Sequence, residues 1–199
     1  LGLRLCGALD EAALDAALAR IVQRHEALRT RFDTVDGQPV QVIDDAAAGL
    51  PMPLQDIGGA ADLPAELRSV AAAETARPFD LEHGPLIRAR LLRLAEREHV
   101  LLVTMHHIVS DGWSIGVLVD EVRQLYAALR RGEADPLPAL PIQYADYAAW
   151  QHQWLAGERL QRQPDAELLH HVRLGRVVQV DLDGAGAEHH VQPQIADAR

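Results

Sequence analysis

The sequence predicts an α/β fold, an α+β sandwich in which helices pack on a mixed sheet. Three observations carry this. Residues 10–28 and 114–131 repeat apolar side chains at helical spacing. Leu86 to Leu94 and His99 to Met105 flank the charged turn Ala95-Glu96-Arg97-Glu98 and read as two strands. The 199 residues are 48% hydrophobic and 24% charged, which is enough apolar material for one core.

Each element has a local reason. Asp10 is placed to cap the first helix, with Leu9 and Leu14 able to form a staple across the cap. Leu14, Leu18, Ile21 or Val22, and Leu28 recur at helical spacing on its apolar side. From Leu28 to Phe32 the chain turns extended, and Asp36-Gly37 reads as a hairpin turn into Val40–Ile43. Residues 44–63 read as loop, with Pro51, Pro53 and Gly58-Gly59. Pro64 fits the first turn of a short helix that stops before Pro78.

The second strand of the pair contains Val100-Leu101-Leu102-Val103, a continuous run expected to be buried on both faces. Ser114 is expected to cap the next helix, whose face carries Ile115, Leu118, Val122, Leu125 and Leu129, and Gly132 to stop it. Residues 133–141 form a proline-punctuated linker. A last helix is expected over residues 143–163, with Tyr147, Trp150 and Trp154 on one face. Beyond Gln163 helical periodicity is lost. Val177 to Leu182 reads as a strand, and the Gly-, Ala- and His-rich end as disordered.

Composition excludes several classes. Cys6 is the sole cysteine, so there is no disulfide scaffold. No apolar run is long enough for a membrane span, and no secretory signal is visible. A formal charge of −10 argues against nucleic acid as a partner. Every basic residue is arginine, and lysine and asparagine are absent, which reflects GC-rich codons rather than function. The start at Leu1 is read as an internal start within a longer protein.

The chemistry-bearing segment is Met105-His106-His107-Ile108-Val109-Ser110-Asp111-Gly112-Trp113-Ser114, where a buried strand gives way to a helix. Histidine titrates near neutral pH and serves as a general base, and a nearby carboxylate fixes geometry. Gly112 permits a positive φ or a close substrate approach. The helix N-terminus offers N–H groups to a developing oxyanion. His170-His171 and His189-His190 are pairs without a following Asp-Gly and are expected to be inert. A metal site is disfavoured, because neighbours on a strand point to opposite faces.

The segment resembles the HHxxxDG signature of nonribosomal peptide synthetase condensation domains. Three further stretches match that family in its own order. They are Arg24-His25-Glu26-Ala27-Leu28-Arg29-Thr30-Arg31-Phe32, then Phe79-Asp80-Leu81 with Gly84-Pro85-Leu86, then Pro141-Ile142-Gln143-Tyr144-Ala145-Asp146-Tyr147 with Trp150. The residues around the histidine pair look most like the subtype that condenses an L-configured donor. The resemblance covers residues 1–163, the N-terminal lobe of a chloramphenicol-acetyltransferase-like fold without the family's first motif. Residues 164–199 depart from it and are read as a divergent tail, frameshifted or disordered; a genuine alternative terminus is the other reading.

The resemblance implies amide formation between a carrier-bound donor thioester and a carrier-bound aminoacyl thioester. It makes His107 the general base or positioning residue, beside His106, Asp111 and Gly112. It implies that Asp111 pairs with Arg29, and that Arg29, Trp113 and Ser114 support the site, Trp113 by packing. His25 and His99 are expected to be structural. Tyr147, Trp150 and Trp154 are expected to form a core or lobe-contact face. No cofactor or metal is bound directly; substrates ride on phosphopantetheine arms. The implied partners are peptidyl or acyl carrier domains, an adenylation domain and the missing C-terminal lobe, in the cytoplasm. Two alternatives stand beside this: an inactive remnant or carrier-binding module, and a thioester-dependent O-acyltransferase.

Overall fold

The computed structural model describes residues 1–46 and 49–155 and the backbone of 177–181. A five-stranded sheet has the order β4-β5-β6-β1-β7, and a separate hairpin pairs β2 with β3. The strands are β1 Gly2–Cys6, β2 Thr30–Val35, β3 Gln38–Ile43, β4 Leu54–Asp56, β5 Ile87–Ala95, β6 Glu98–Met105 and β7 Val177–Asp181. The helices are α1 Glu11–Arg24, α2 Leu63–Ala76, α3 Gly112–Arg130 and α4 Tyr144–Leu155. Strands β5, β6 and β1 run antiparallel to their neighbours in that group, while β4 and β7 add in parallel at the two edges.

Strand β6 explains the layering. Val100, Leu101, Leu102 and Val103 are all buried. Leu101 and Val103 pack with Leu14, Leu18 and Ile21 of α1 and Leu118, Val122 and Leu125 of α3. Val100 and Leu102 face the opposite way, against Leu63, Leu67 and Val70 of α2. The sheet is therefore covered on both sides, as the unbroken apolar run requires. Each such side chain contributes about 1.5–3 kcal/mol by leaving water.

The local expectations meet the structure unevenly. Asp10 caps α1, accepting from the Ala13 N–H at 2.9 Å. Asp36 and Gly37 both take positive φ, the geometry of a type I′ hairpin turn. Gly132, at φ 71°, follows the end of α3. Helix α1, however, stops at Arg24, and a 3-10 turn spans Glu26–Arg29 before β2. Tertiary contacts override the helical pattern there. The Gln143 side chain donates to the Arg24 carbonyl at 3.0 Å, and His25 is extended. Strand β4 lies inside the expected loop; three residues are too few to show alternation. The predicted extension of the last helix to residue 163 lies outside the described residues, as do His170-His171 and His189-His190.

The α4 aromatic face is not part of this chain's core. Tyr147, Trp150 and Trp154 stack in sequence with centroid spacings of 5.8 and 6.0 Å, yet all three are exposed. Among the described residues no helix is long and apolar enough to cross a membrane.

Two stability predictions come from this packing. A Cβ on Gly58 would lie 2.6 Å from the Leu94 carbonyl oxygen. Gly58→Ala must push the loop off β5 and is expected to cost about 1–3 kcal/mol in denaturant unfolding; an unchanged midpoint contradicts the close approach. His99 is buried, and its Nδ1 has no partner among the described residues. Burial, with Arg93 adding to it, holds its pKa below the ordinary value. Folding thus favours neutral His99. Its contribution is complete above about pH 6.5 and is lost as pH falls toward the lowered folded pKa. Wild type should therefore lose more stability than His99→Leu between about pH 7.5 and 5.5; parallel losses contradict this.

Candidate active site

Past Met105 the chain leaves the sheet in a tight turn. The Val109 N–H donates to the His106 carbonyl at 3.0 Å, and the His106 N–H donates to the Leu86 carbonyl at 3.0 Å. This sends the two histidines to different surroundings. His106 meets the edge of Phe79, with centroids 5.8 Å apart at 89°. Its Nδ1 accepts from the Ile108 N–H at 3.0 Å. A backbone N–H can only donate, so the neutral His106 ring carries its proton on Nε2.

Phe79 is itself fixed. The Arg88 guanidinium lies 3.8 Å from its ring centroid. Arg88 also donates to the carbonyls of Glu74, Arg77 and Pro78 and pairs with the Glu74 carboxylate at 2.8 Å, tying down the end of α2. Burial works against ionisation of Glu74, but Arg88 and Arg90 outweigh it and hold its pKa below the usual value. Arg88 was not foreseen from the sequence. Its one signal there is the alternation of Arg88 and Arg90 on one face of a strand, just after Gly84-Pro85-Leu86.

His107 has the complementary arrangement. Its Nδ1 lies 3.2 Å from the Ser110 carbonyl oxygen. A carbonyl can only accept, so Nδ1 carries the proton and Nε2 keeps its lone pair. His107 is exposed and lines a cavity of about 310 Å³. Leu28, Met105, Val109 and Leu118 supply apolar wall, and His25, Ser110, Asp111 and Ser114 supply polar groups. His106 does not line this cavity.

The expected Arg29–Asp111 pair does not form. The Asp111 carboxylate is the N-cap of α3, accepting from the Ser114 N–H at 2.8 Å and its hydroxyl at 2.6 Å. The Ser114 hydroxyl lies 3.2 Å from the Asp111 N–H and can accept from it, closing a reciprocal capping box. Hydrogen bonds from Ser114 hold the Asp111 pKa below the usual carboxylate range. Arg29 donates instead to the Asp44 carbonyl at 2.5 Å and to Glu26 at 3.3 Å, and its Nε is buried without a partner among the described residues. The local cap satisfies Asp111 within its own turn.

Three further expectations change. Asp111, not Ser114, is the cap. Its carboxylate occupies the helix N-terminus that was expected to receive an oxyanion. Gly112 opens α3 without a positive φ, so of its two expected uses the close substrate approach is the one that stands. Trp113 is 83% exposed at the cavity's edge rather than packed.

The wall opposite the histidine turn is tied together by charge. Arg24 Nε pairs with Glu121 Oε1 at 3.0 Å, both side chains nearly buried, and also donates to the Pro138 carbonyl. His25 Nε2 lies 2.6 Å from Glu121 Oε2. The Gln143 side chain accepts from the Glu26 N–H at 3.2 Å while donating to Arg24, so α1, α3 and the start of α4 meet here. Among the described residues there is no group of three or more side chains able to hold a metal.

Comparison with known proteins places this arrangement in a family. The Condensation domain family model matches residues 1–165, and the chain belongs to that family. Malpibaldin synthetase of Mortierella alpina is 52% identical over 161 residues, 81% of this chain and 3% of that protein. Phosphinothricin tripeptide synthetase PhsB of Streptomyces viridochromogenes is 43% identical over 169 residues, 84% of this chain and 14% of that one. The X-domain from teicoplanin biosynthesis superposes with a TM-score of 0.69 at 40% identity, covering 81% of this chain and 34% of that structure. The chain thus spans a small part of these synthetases and about a third of the solved domain. The mixed sheet with its helices is the fold of solved condensation domains.

Removing the cap tests the structural role of Asp111. Asp111→Ala is expected to cost about 1 kcal/mol in thermal unfolding, and the effect of Arg29→Ala is expected to add to it independently; strong coupling in the double variant contradicts the capping assignment.

Proposed function

We propose that the chain forms the His107 half of an amide-forming active site in a nonribosomal peptide synthetase. The amine nitrogen of a carrier-bound aminoacyl thioester attacks the carbonyl carbon of a carrier-bound donor thioester. The carbon–nitrogen bond forms, the carbon–sulfur bond breaks, and the proton lost by nitrogen ends on the departing thiol. The observation that carries this reading is the anchored His107 ring, whose Nδ1–H faces the Ser110 carbonyl and whose Nε2 stays open.

An α-amine has a pKa of about 7.7–8.0, so much of it is neutral near physiological pH. His107 then has modest work to do: it accepts an N–H of the amine, orients the nitrogen, and carries the proton released from the tetrahedral species. His106 serves as a positioning residue, setting the turn that presents its neighbour. Asp111, with Gly112 and Ser114, acts on the site by capping α3, and Trp113 borders its mouth. Arg29 braces the stretch between α1 and β2 rather than the histidine turn.

The same reading assigns the partners. Carrier domains deliver both substrates on phosphopantetheine arms, with no further cofactor, and an adenylation domain of the same cytoplasmic synthetase loads them. A C-terminal lobe completes the tunnel, and the exposed Tyr147-Trp150-Trp154 ladder suits a contact with it. The division at residue 163 belongs to this reading. A carrier-binding module without catalysis is the alternative, and turnover separates the two.

The test is single-turnover amide formation by the full-length domain that carries this chain. His107→Ala is expected to lower the rate about 10²–10⁴-fold, with acceptor binding little changed. A rate equal to wild type overturns the proposal.

A further inference from the structure

His25 shares the cavity with His107 and has no place in the chemistry above. Its anchor is unusual for a residue that serves packing alone. Glu121 is already neutralised by Arg24, through Oε1 at 3.0 Å, with the two side chains 11% and 6% exposed. The second oxygen, Oε2, holds His25 Nε2 at 2.6 Å. The carboxylate accepts, so the neutral His25 ring has its proton on Nε2 and a lone pair on Nδ1. No hydrogen bond within the described residues engages that Nδ1, and the ring lines the cavity with 26% of its side chain exposed.

Two histidines thus line one cavity in mirror fashion. Each has one nitrogen tied as a donor, His107 through Nδ1 and His25 through Nε2, and each keeps the other as an open acceptor. The other lining residues with polar groups are Ser110, Asp111, Trp113, Ser114 and Tyr144, and no arginine is among them. Such a wall is matched by a group that donates several hydrogen bonds, and a primary amine is the simplest one.

We propose that His25 is a second ligand-binding residue of this cavity. It accepts a hydrogen bond from the primary amine on which His107 acts, and Glu121 with Arg24 are its positioning residues. The identity of the amine rests on the amide-forming reading above; the acceptor role of His25 does not require turnover.

The test compares two unreactive probes on the full-length domain that carries this chain. One is L-leucyl-pantetheine joined by an amide in place of the thioester, and the other is its N-acetyl form, which has lost the amine. Wild type should bind the free amine about tenfold more tightly, as one net hydrogen bond provides. His25→Ala should reduce that preference to about threefold or less while leaving the N-acetyl probe's affinity unchanged. His25→Phe keeps a ring against α3 and removes both nitrogens, so it supplies the same reading if the alanine variant fails to fold. Equal weakening of both probes means that His25 is only packing, and an intact preference in either folded variant means that it does not meet the amine. Absence of any preference in wild type also overturns the proposal. None of these outcomes depends on amide formation, so loss of the amide-forming reading would be seen separately, in the turnover of wild type and His107→Ala.

Discussion

The structure depends on the double burial of β6. Val100, Leu101, Leu102 and Val103 offer no polar face, so the strand is stable only with helices on both sides of the sheet. Helices α1 and α3 cover one side and α2 the other. Registered between β5 and β1, the strand has a fixed end at Met105. The histidine turn begins there, at the end of a strand buried on both faces, and inherits its position from the core.

Charge then closes what the core begins. The Arg24–Glu121–His25 group sits where α1 ends, and it joins that end to the middle of α3. Breaking a buried pair strands a charge and costs several kcal/mol, so these partners are held to one arrangement. Gln143 extends the same knot to the start of α4. The stretches that resemble the family in sequence therefore meet in space. One contributes His25 and Leu28 to the cavity, a second contributes the histidine turn, and a third contributes Tyr144. The fourth, through Phe79, braces His106 from outside.

Elements with strong periodicity or a local cap were legible in the sequence. Strands β5 and β6, the Asp36-Gly37 hairpin, the Asp10 cap and the Gly132 stop all depend on neighbours in the chain. Features that depend on distant residues were not. The stop of α1 at Arg24 is imposed by Gln143 and Glu121, more than ninety positions away. Strand β4 exists because β5 offers an open edge to three residues. In the site, His107 was legible from its motif, but the partner of Asp111 was not. A carboxylate three residues before a serine at a helix start satisfies itself locally, and that short-range bond won over the distant arginine. Trp113 was expected to support the site by packing; it stands exposed beside the cavity instead.

The chemistry turns on which nitrogen of His107 carries the proton. Its neighbour provides an internal control, because the two adjacent rings are held in opposite tautomers by a carbonyl on one side and a backbone N–H on the other. Long-range ¹H–¹⁵N correlation spectra of the ¹⁵N-histidine-labelled chain, taken at about pH 8, above the ordinary imidazole range, read this directly. The expected result is the Nδ1–H form for His107 and the Nε2–H form for His106. An Nε2–H form for His107 would place a donor where the amine needs an acceptor, and would contradict the role given to this ring.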